Sequence, residues 1–396
     1  MEVASYLWIL IQVIFGFNLI LPFVFYLFWM IKSKHKFEKQ NDGDSAADYA
    51  IIVTAYQQTH TLPYVVDSIL KANYQNYLVY IVADNCDISD LNFADSRIVI
   101  LRPPEILASN TKSHRYAFDN FQRIHDRVTI VDSDNLLDAR YFIELNNVFQ
   151  QGFAAVQGVR KPKNTNTDIA ALDAVRDIYY HFYDGKVLFE LGSSATLAGS
   201  GMAFDCKVYR EFLTEMNVEG AGFDKVLQAW LLKGGTRIAF AEYAIVYDEK
   251  TSQNDQLVKQ RSRWINTWFK YFGLGFGIIL KGIKNLNLNQ FLFGLVLLRP
   301  PLFIFILVSG LFAFINLFIS LTGVLVWALS FVLFVAGFYI ALKNASTDSG
   351  VYKVLLKAPQ FIYLQVVSLL KSRNANKNSV STTHYHNSNV DDIKSS

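Results

Sequence analysis

The chain has 396 residues, enough for one large domain with additional elements, and 52% of them are hydrophobic, with 32 Phe and 21 Tyr. A net charge of +3, without a basic stripe interleaved with aromatics, speaks against a nucleic-acid partner. The two distant cysteines, Cys86 and Cys206, speak against a disulfide scaffold or a zinc site and fit a reducing compartment.

Tyr6 to Ile31 carries no charged side chain and is long enough to cross a bilayer. Its lysines, Lys32, Lys34, Lys36 and Lys39, follow the apolar run, the reverse of a signal peptide. Residues 1–31 are therefore expected to anchor the chain in a membrane. The positive-inside rule places the N-terminus outside and everything from residue 32 in the cytoplasm. Residues 32–47 are polar and read as a linker.

From residue 48 to 255 the pattern is that of an α/β domain. Short apolar runs at Tyr49–Thr54, Leu78–Ala83 and Arg97–Leu101 read as strands. Helical spacing fills Leu62–Lys71 and Lys112–His125 between them. This alternation predicts a parallel sheet covered on both faces, with ligands at the carboxyl ends of its strands. The residues after those strands are Thr54-Ala-Tyr56, Asp84-Asn-Cys-Asp87 and Asp132-Ser-Asp134. An aromatic ring, a hydroxyl and several carboxylates on one edge suit a base, a ribose and a metal-bound diphosphate. The chain has neither a P-loop nor a strand-borne GxGxxG.

Val128-Thr-Ile-Val-Asp132-Ser-Asp134 is the most informative run. Residues i and i+2 of an extended segment point the same way, so both carboxylates can face one ligand. Two such carboxylates repel unless a cation joins them, and their oxygens suit Mg2+ or Mn2+. A solvated Asp-Ser-Asp-Asn turn explains the same residues, and taken alone they leave both readings open. Lys112, His114 and Arg115 read as a solvated helix end rather than a phosphate patch, and His60, His125 and His181 show no metal spacing.

Farther on, Thr196-Leu-Ala-Gly199-Ser-Gly201 reads as a turn beside a strand, and Gly222-Phe-Asp224 opens a helix. Ile245–Lys250 is a last strand. Residues 256–288, with aromatics about four apart and nearby lysines, suggest interfacial helices. Residues 289–343 hold a membrane hairpin, with spans near Pro301–Ser320 and Thr322–Leu342. Residues 344–371 read as an interfacial segment and 372–396 as a polar, disordered tail.

Taken in order, Asp84-Asn-Cys, Asp132-Ser-Asp-Asn, Gly199-Ser-Gly, Gly222-Phe-Asp, Val246-Tyr-Asp-Glu-Lys and Gln260-Arg-Ser-Arg-Trp264 resemble membrane-bound family 2 glycosyltransferases. These are inverting enzymes of GT-A fold related to the cellulose, chitin and hyaluronan synthases, here of the bacterial exopolysaccharide-synthesis type. The resemblance implies a UDP-sugar donor, a carbohydrate acceptor, the lipid bilayer and other synthesis or export subunits as partners, with Mg2+ or Mn2+ as cofactor. It implies donor contacts from Thr54, Tyr56, Asp84, Asp132, Gln260 and Arg263, and metal ligation by Asp134. Trp264, Gly199 and Gly201 would serve the acceptor, and Asp224 would be the catalytic base.

Two departures stand out. The family's Pro-x-Tyr-Asn-Glu is Thr54-Ala-Tyr56-Gln57-Gln58 here, and the Glu that precedes the base is Phe223. A catalytically silent assembly subunit and a polyprenyl-phosphate sugar transferase are the alternatives.

Overall fold

The computed structural model describes residues 2–32, 47–345, 349–376 and 389–395, so most of the linker and residues 377–388 of the tail lie outside the description. Helix α1 (Glu2–Ile31) leads to the sheet domain. Strands β1 (Tyr49–Tyr56), β2 (Tyr77–Asp84), β3 (Ile98–Leu101) and β4 (Arg127–Asp132) are parallel, in the spatial order β3-β2-β1-β4. Along β1, Tyr49 through Val53 have no solvent exposure on either face. Each buried Val or Ile contributes roughly 1.5–3 kcal/mol, against roughly 1–2 kcal/mol for ordering its backbone, so double-sided burial holds these strands.

Between those strands run α2 (Leu62–Leu70) and α3 (Asn110–Asp119). Helix α3 stops short of the expected His125. The His125 ring is instead held between the Tyr80 hydroxyl (2.8 Å) and Asp48 (2.5 Å).

Beyond β4 the sheet departs from the parallel expectation. The short β5 (Leu136–Leu137) precedes α4 (Tyr141–Phe149) and β6 (Ala155–Pro162). Helix α5 (Asp168–Tyr180) continues through a π-helical stretch, His181–Val187, before β7 (Met202–Asp205). Strand β7 runs antiparallel to both β4 and β6. After α6 (Cys206–Glu215) and α7 (Phe223–Lys233), β8 (Ile238–Asp248) pairs parallel to β6 and closes an eight-stranded mixed sheet with β5.

Helix α8 (Asn254–Tyr271) then carries the Gln-Arg-Ser-Arg-Trp run. It is followed by a hairpin of α9 (Leu274–Lys284) and α10 (Leu288–Leu298). A Cβ on Gly282 would meet the Phe291 nitrogen at 2.6 Å, and one on Gly294 would meet Ile279 at 2.5 Å, so the hairpin closes only on glycine. The expected membrane hairpin therefore starts after α10, whose 11 residues are too short to span.

Among the described residues, four helical stretches are long and apolar enough to cross a membrane: Val3–Ile31, Leu302–Ile319, Leu321–Asn344 and Val351–Leu370. The second and third, α11 (Leu302–Ile319) and α12 (Leu321–Asn344), fall where the sequence places spans. Gln12 ties them to α1, its Oε1 accepting from Asn316 (2.5 Å) and Trp327 (2.8 Å). The fourth stretch is the one expected at the interface. It is broken by a 3-10 turn at Leu355–Lys357, and its second part, α13 (Ala358–Leu370), lies along α8. There the Ser262 hydroxyl donates to the Ser368 carbonyl (2.9 Å), and Leu364 packs with Leu257 and Val258.

The described end of the tail is not free of structure. Val390–Ser395 is helical, Val390 is buried in the main core, and Asp391 pairs with Lys71 of the segment after α2 at 2.9 Å.

Candidate active site

A cavity of about 650 Å3 opens at the carboxyl ends of β1 and β4. The strand register sets its first wall. Thr54 lies opposite Asp132, and both residues line the cavity with Tyr56 and the buried Asp134. The Asp132–Asn135 turn is fixed by a residue that is silent in the sequence. The fully buried Ser200 hydroxyl accepts from the Asp132 N–H (3.1 Å) and from Asn135 Nδ2 (2.7 Å). Gln157 in turn holds the Ser200 segment, accepting from the Ala198 N–H (2.9 Å) and donating to the Ser200 carbonyl (3.1 Å).

Gly199 faces the cavity with nothing within 4 Å of a notional Cβ. Gly201 does not line it. Its N–H donates to Ile130 (3.0 Å), and at φ +66° a Cβ would press on Val246 at 2.9 Å, so it closes the sheet. Asp84 also stands outside the lining. It is buried, and its two oxygens accept the N–H groups of Leu107 (2.9 Å) and Ala108 (2.7 Å), so it holds the loop before α3. His114, expected at a solvated helix end, is fully buried against the Tyr209 hydroxyl (2.7 Å), and burial pushes its pKa down to about 3.

The opposite wall comes from α7 and α8. Asp224 sits in the first turn of α7, where a carboxylate meets the positive end of the helix, and Lys225 reaches it at 3.3 Å. Gly222 begins that turn at φ +99°. A Cβ there would meet Thr267 at 2.5 Å and Tyr271 at 2.7 Å, so glycine allows α7 to abut α8. Phe223, in place of the family's Glu, is buried edge-to-face on His114 at 5.3 Å. From α8, Gln260, Arg263 and Trp264 all line the cavity. Burial lowers the Arg263 pKa, and Thr251 reaches Gln260 Oε1 at 3.4 Å.

A charged cluster that the sequence reading missed fills the floor. Asp173, Arg176, Asp177 and Tyr180 fall at i, i+3, i+4 and i+7 of α5 and so share one helix face. That spacing, among alanines, was the available signal. Facing it are Arg160 of β6, Asp248 and Lys250 at the end of β8, and Arg261 of α8. Lys250 binds Asp177 (2.5 Å) and Asp248 (2.8 Å), while Arg261 pairs with Asp173. Arg299, just before α11, pairs with Asp184 of the π-helical stretch and brings Pro300 and Pro301 to the cavity rim.

The residues present fit a hard divalent ion. Two carboxylates, Asp132 and Asp134, line the cavity together, and among the described residues no three His, Cys, Asp or Glu are grouped so as to hold a metal ion by themselves. An ion held there would complete its oxygen set from phosphates and water, as Mg2+ commonly does.

A mixed α/β sheet with this cavity at its strand ends, joined to long apolar helices, is a GT-A-like glycosyltransferase architecture. Residues 46–267 match the glycosyltransferase-like family 2, and the chain belongs to that family. No curated protein matches the chain. Among solved structures, the mannosyltransferase PcManGT from Pyrobaculum calidifontis, in complex with GDP-Man and Mn2+, aligns with a TM-score of 0.54. The alignment has 11% identity over 92% of this chain and 97% of that one, a likeness of fold.

Proposed function

We propose that this chain is an inverting glycosyltransferase that moves a sugar from a UDP-linked donor to a carbohydrate acceptor in cell-envelope or extracellular polysaccharide synthesis. The observation that carries this reading is convergence. Thr54, Tyr56, Asp132, Asp134, Asp224, Gln260, Arg263 and Trp264, from four separate parts of the chain, line a single cavity. Thr54 and Tyr56 receive the nucleoside, Asp132 the ribose and sugar, and Gln260 and Arg263 the diphosphate. A planar guanidinium suits that last task because it can donate two parallel hydrogen bonds. Asp134 would hold Mg2+ or Mn2+, which would neutralise charge on the leaving diphosphate.

On the acceptor side, Trp264 is 38% exposed, and Gly199, on the same cavity, has nothing within 4 Å of a notional Cβ. A sugar hydroxyl is a poor nucleophile at neutral pH. As it attacks the anomeric carbon it must lose its proton, and Asp224, which lines the same cavity as Asp132 and Asp134, is the carboxylate we assign to accept it. Phe223 is committed to packing on His114, so Asp224 serves without the neighbouring Glu of the family.

The test is a screen of UDP-sugars for release of UDP by the purified full chain, with Mg2+, Mn2+ or chelator. A GDP-mannose arm belongs in it because the structural relative was solved with that donor. Metal-dependent release with one UDP-sugar supports the reading. Donor binding without turnover across the panel would make the chain a silent assembly subunit.

A further inference from the structure

Arg160, Arg176, Lys250 and Arg261 interleave with Asp173, Asp177 and Asp248 in the charged cluster, and further carboxylates line the same cavity. Burying charge costs several kcal/mol per ion unless it is paired and hydrogen-bonded, so an excess of unpaired N–H groups on a buried guanidinium needs a reason. Arg261 is the residue left short. It is only 2% exposed, its pairing to Asp173 uses Nη2, and its Nε and Nη1 have no hydrogen-bond partner. Burial, with Arg176 and Arg160 beside it, draws its pKa down to about 9 against the pull of Asp173 and Asp177.

The position of this excess says which substrate it serves. The Arg261 guanidinium lies 3.8 Å from the centre of the Trp264 ring, and Arg176 lies 4.8 Å from it. Both cations therefore sit on the indole read above as the acceptor platform. Arg160 pairs instead with Asp177 (3.5 Å) and Asp248 (3.6 Å). The same cavity runs on to an apolar rim of Phe272, Val296, Leu297, Pro300 and Pro301, next to the start of α11.

We propose that Arg261 and Arg176 form an anion subsite beside Trp264, so that the acceptor is a saccharide bearing a phosphate group next to the sugar that is extended. Asp173 holds Arg261 in place until the anion arrives, and the phosphate takes the free Nε and Nη1 positions. This inference rests on the acceptor role of Trp264. The phosphate has two possible sources, a lipid-linked saccharide reaching in from the apolar rim or a soluble acidic one.

Titration of the purified full chain with inorganic phosphate, glucose 1-phosphate and hexyl phosphate, each with and without saturating UDP, tests it. The UDP-loaded protein is expected to bind phosphate probes. Arg261→Gln should weaken them by about tenfold or more, the loss of a charge-assisted pair, while UDP affinity holds. Asp173→Asn should tighten them, because it removes the carboxylate that competes for Arg261. If Arg261→Gln does not fold, Asp173→Asn decides alone, and an unchanged or weaker phosphate affinity overturns the proposal. Tighter binding of hexyl phosphate than of glucose 1-phosphate supports a lipid-linked acceptor, and the reverse order supports a soluble one. Competition between UDP and phosphate, with Arg261→Gln weakening both, would assign the guanidiniums to the donor and overturn the subsite, as would no phosphate binding at all. Failure of the UDP-donor reading would show separately, as absent UDP binding in the same titrations.

Discussion

Asp134 is the residue on which donor binding should turn. A carboxylate contributes charge as well as an oxygen to a hard cation, whereas an amide keeps only the oxygen. In Asp134→Asn, UDP affinity measured in Mg2+ or Mn2+ should fall to its value in chelator, and an unaltered metal dependence would reduce Asp134 to turn chemistry. At this scale the residues that could be read in the sequence were those in short, ordered motifs: Asp132, Asp134, Asp224, Gln260, Arg263 and Trp264 all reach the cavity. Ser200 could not be read, because its hydroxyl matters only once the antiparallel β7 lies beside β4 and sets it under the Asp132 N–H. Arg261 escaped for a similar reason. Nothing in its motif marks it, and only the fold sets it against Asp173 on α5. His114 was misjudged because its partner, Tyr209, lies on α6, far along the chain.

Elements position these residues by close approach. Helix α7 can present Asp224 only because Gly222 lets its first turn touch α8, with Thr267 and Tyr271 where a Cβ would stand. Gly222→Ala would add about 1–2 kcal/mol of left-handed backbone strain and force the two helices apart. Displacement of a reacting group by about 1 Å can cost roughly a hundredfold in rate. Transfer by Gly222→Ala is expected to drop about tenfold to a hundredfold, while UDP affinity, to which Thr54, Tyr56, Asp132 and Asp134 also contribute, falls less. Near-normal transfer would show that the α7–α8 contact does not position the site. The central strands were legible because burial on both faces leaves continuous apolar runs. The strand beside the Gly199 turn was legible, but its antiparallel direction as β7 was not, since only four residues form it and pairing imposes that direction.

For the whole molecule, we propose three crossings, α1, α11 and α12, with the N-terminus outside and the sheet domain in the cytoplasm. The lysines after Ile31 favour that orientation, and the packing of α13 along α8 and of Val390 in the domain core keeps the C-terminal elements on the domain's side. A Gly43→Cys variant should resist an impermeant thiol reagent applied to whole cells. Ready labelling there, with Cys86 buried and Cys206 partly so, would reverse this topology. The most direct measurement compares the purified full chain with Asp224→Asn for donor binding and for sugar transfer under the same conditions. Asn is nearly isosteric with Asp but cannot take the acceptor proton. The variant should bind UDP-sugar and metal as the parent does and transfer about a hundred- to ten-thousandfold more slowly. Transfer at close to the parental rate would contradict the assignment of Asp224 as the base and send the search to Glu249, the next carboxylate on the cavity.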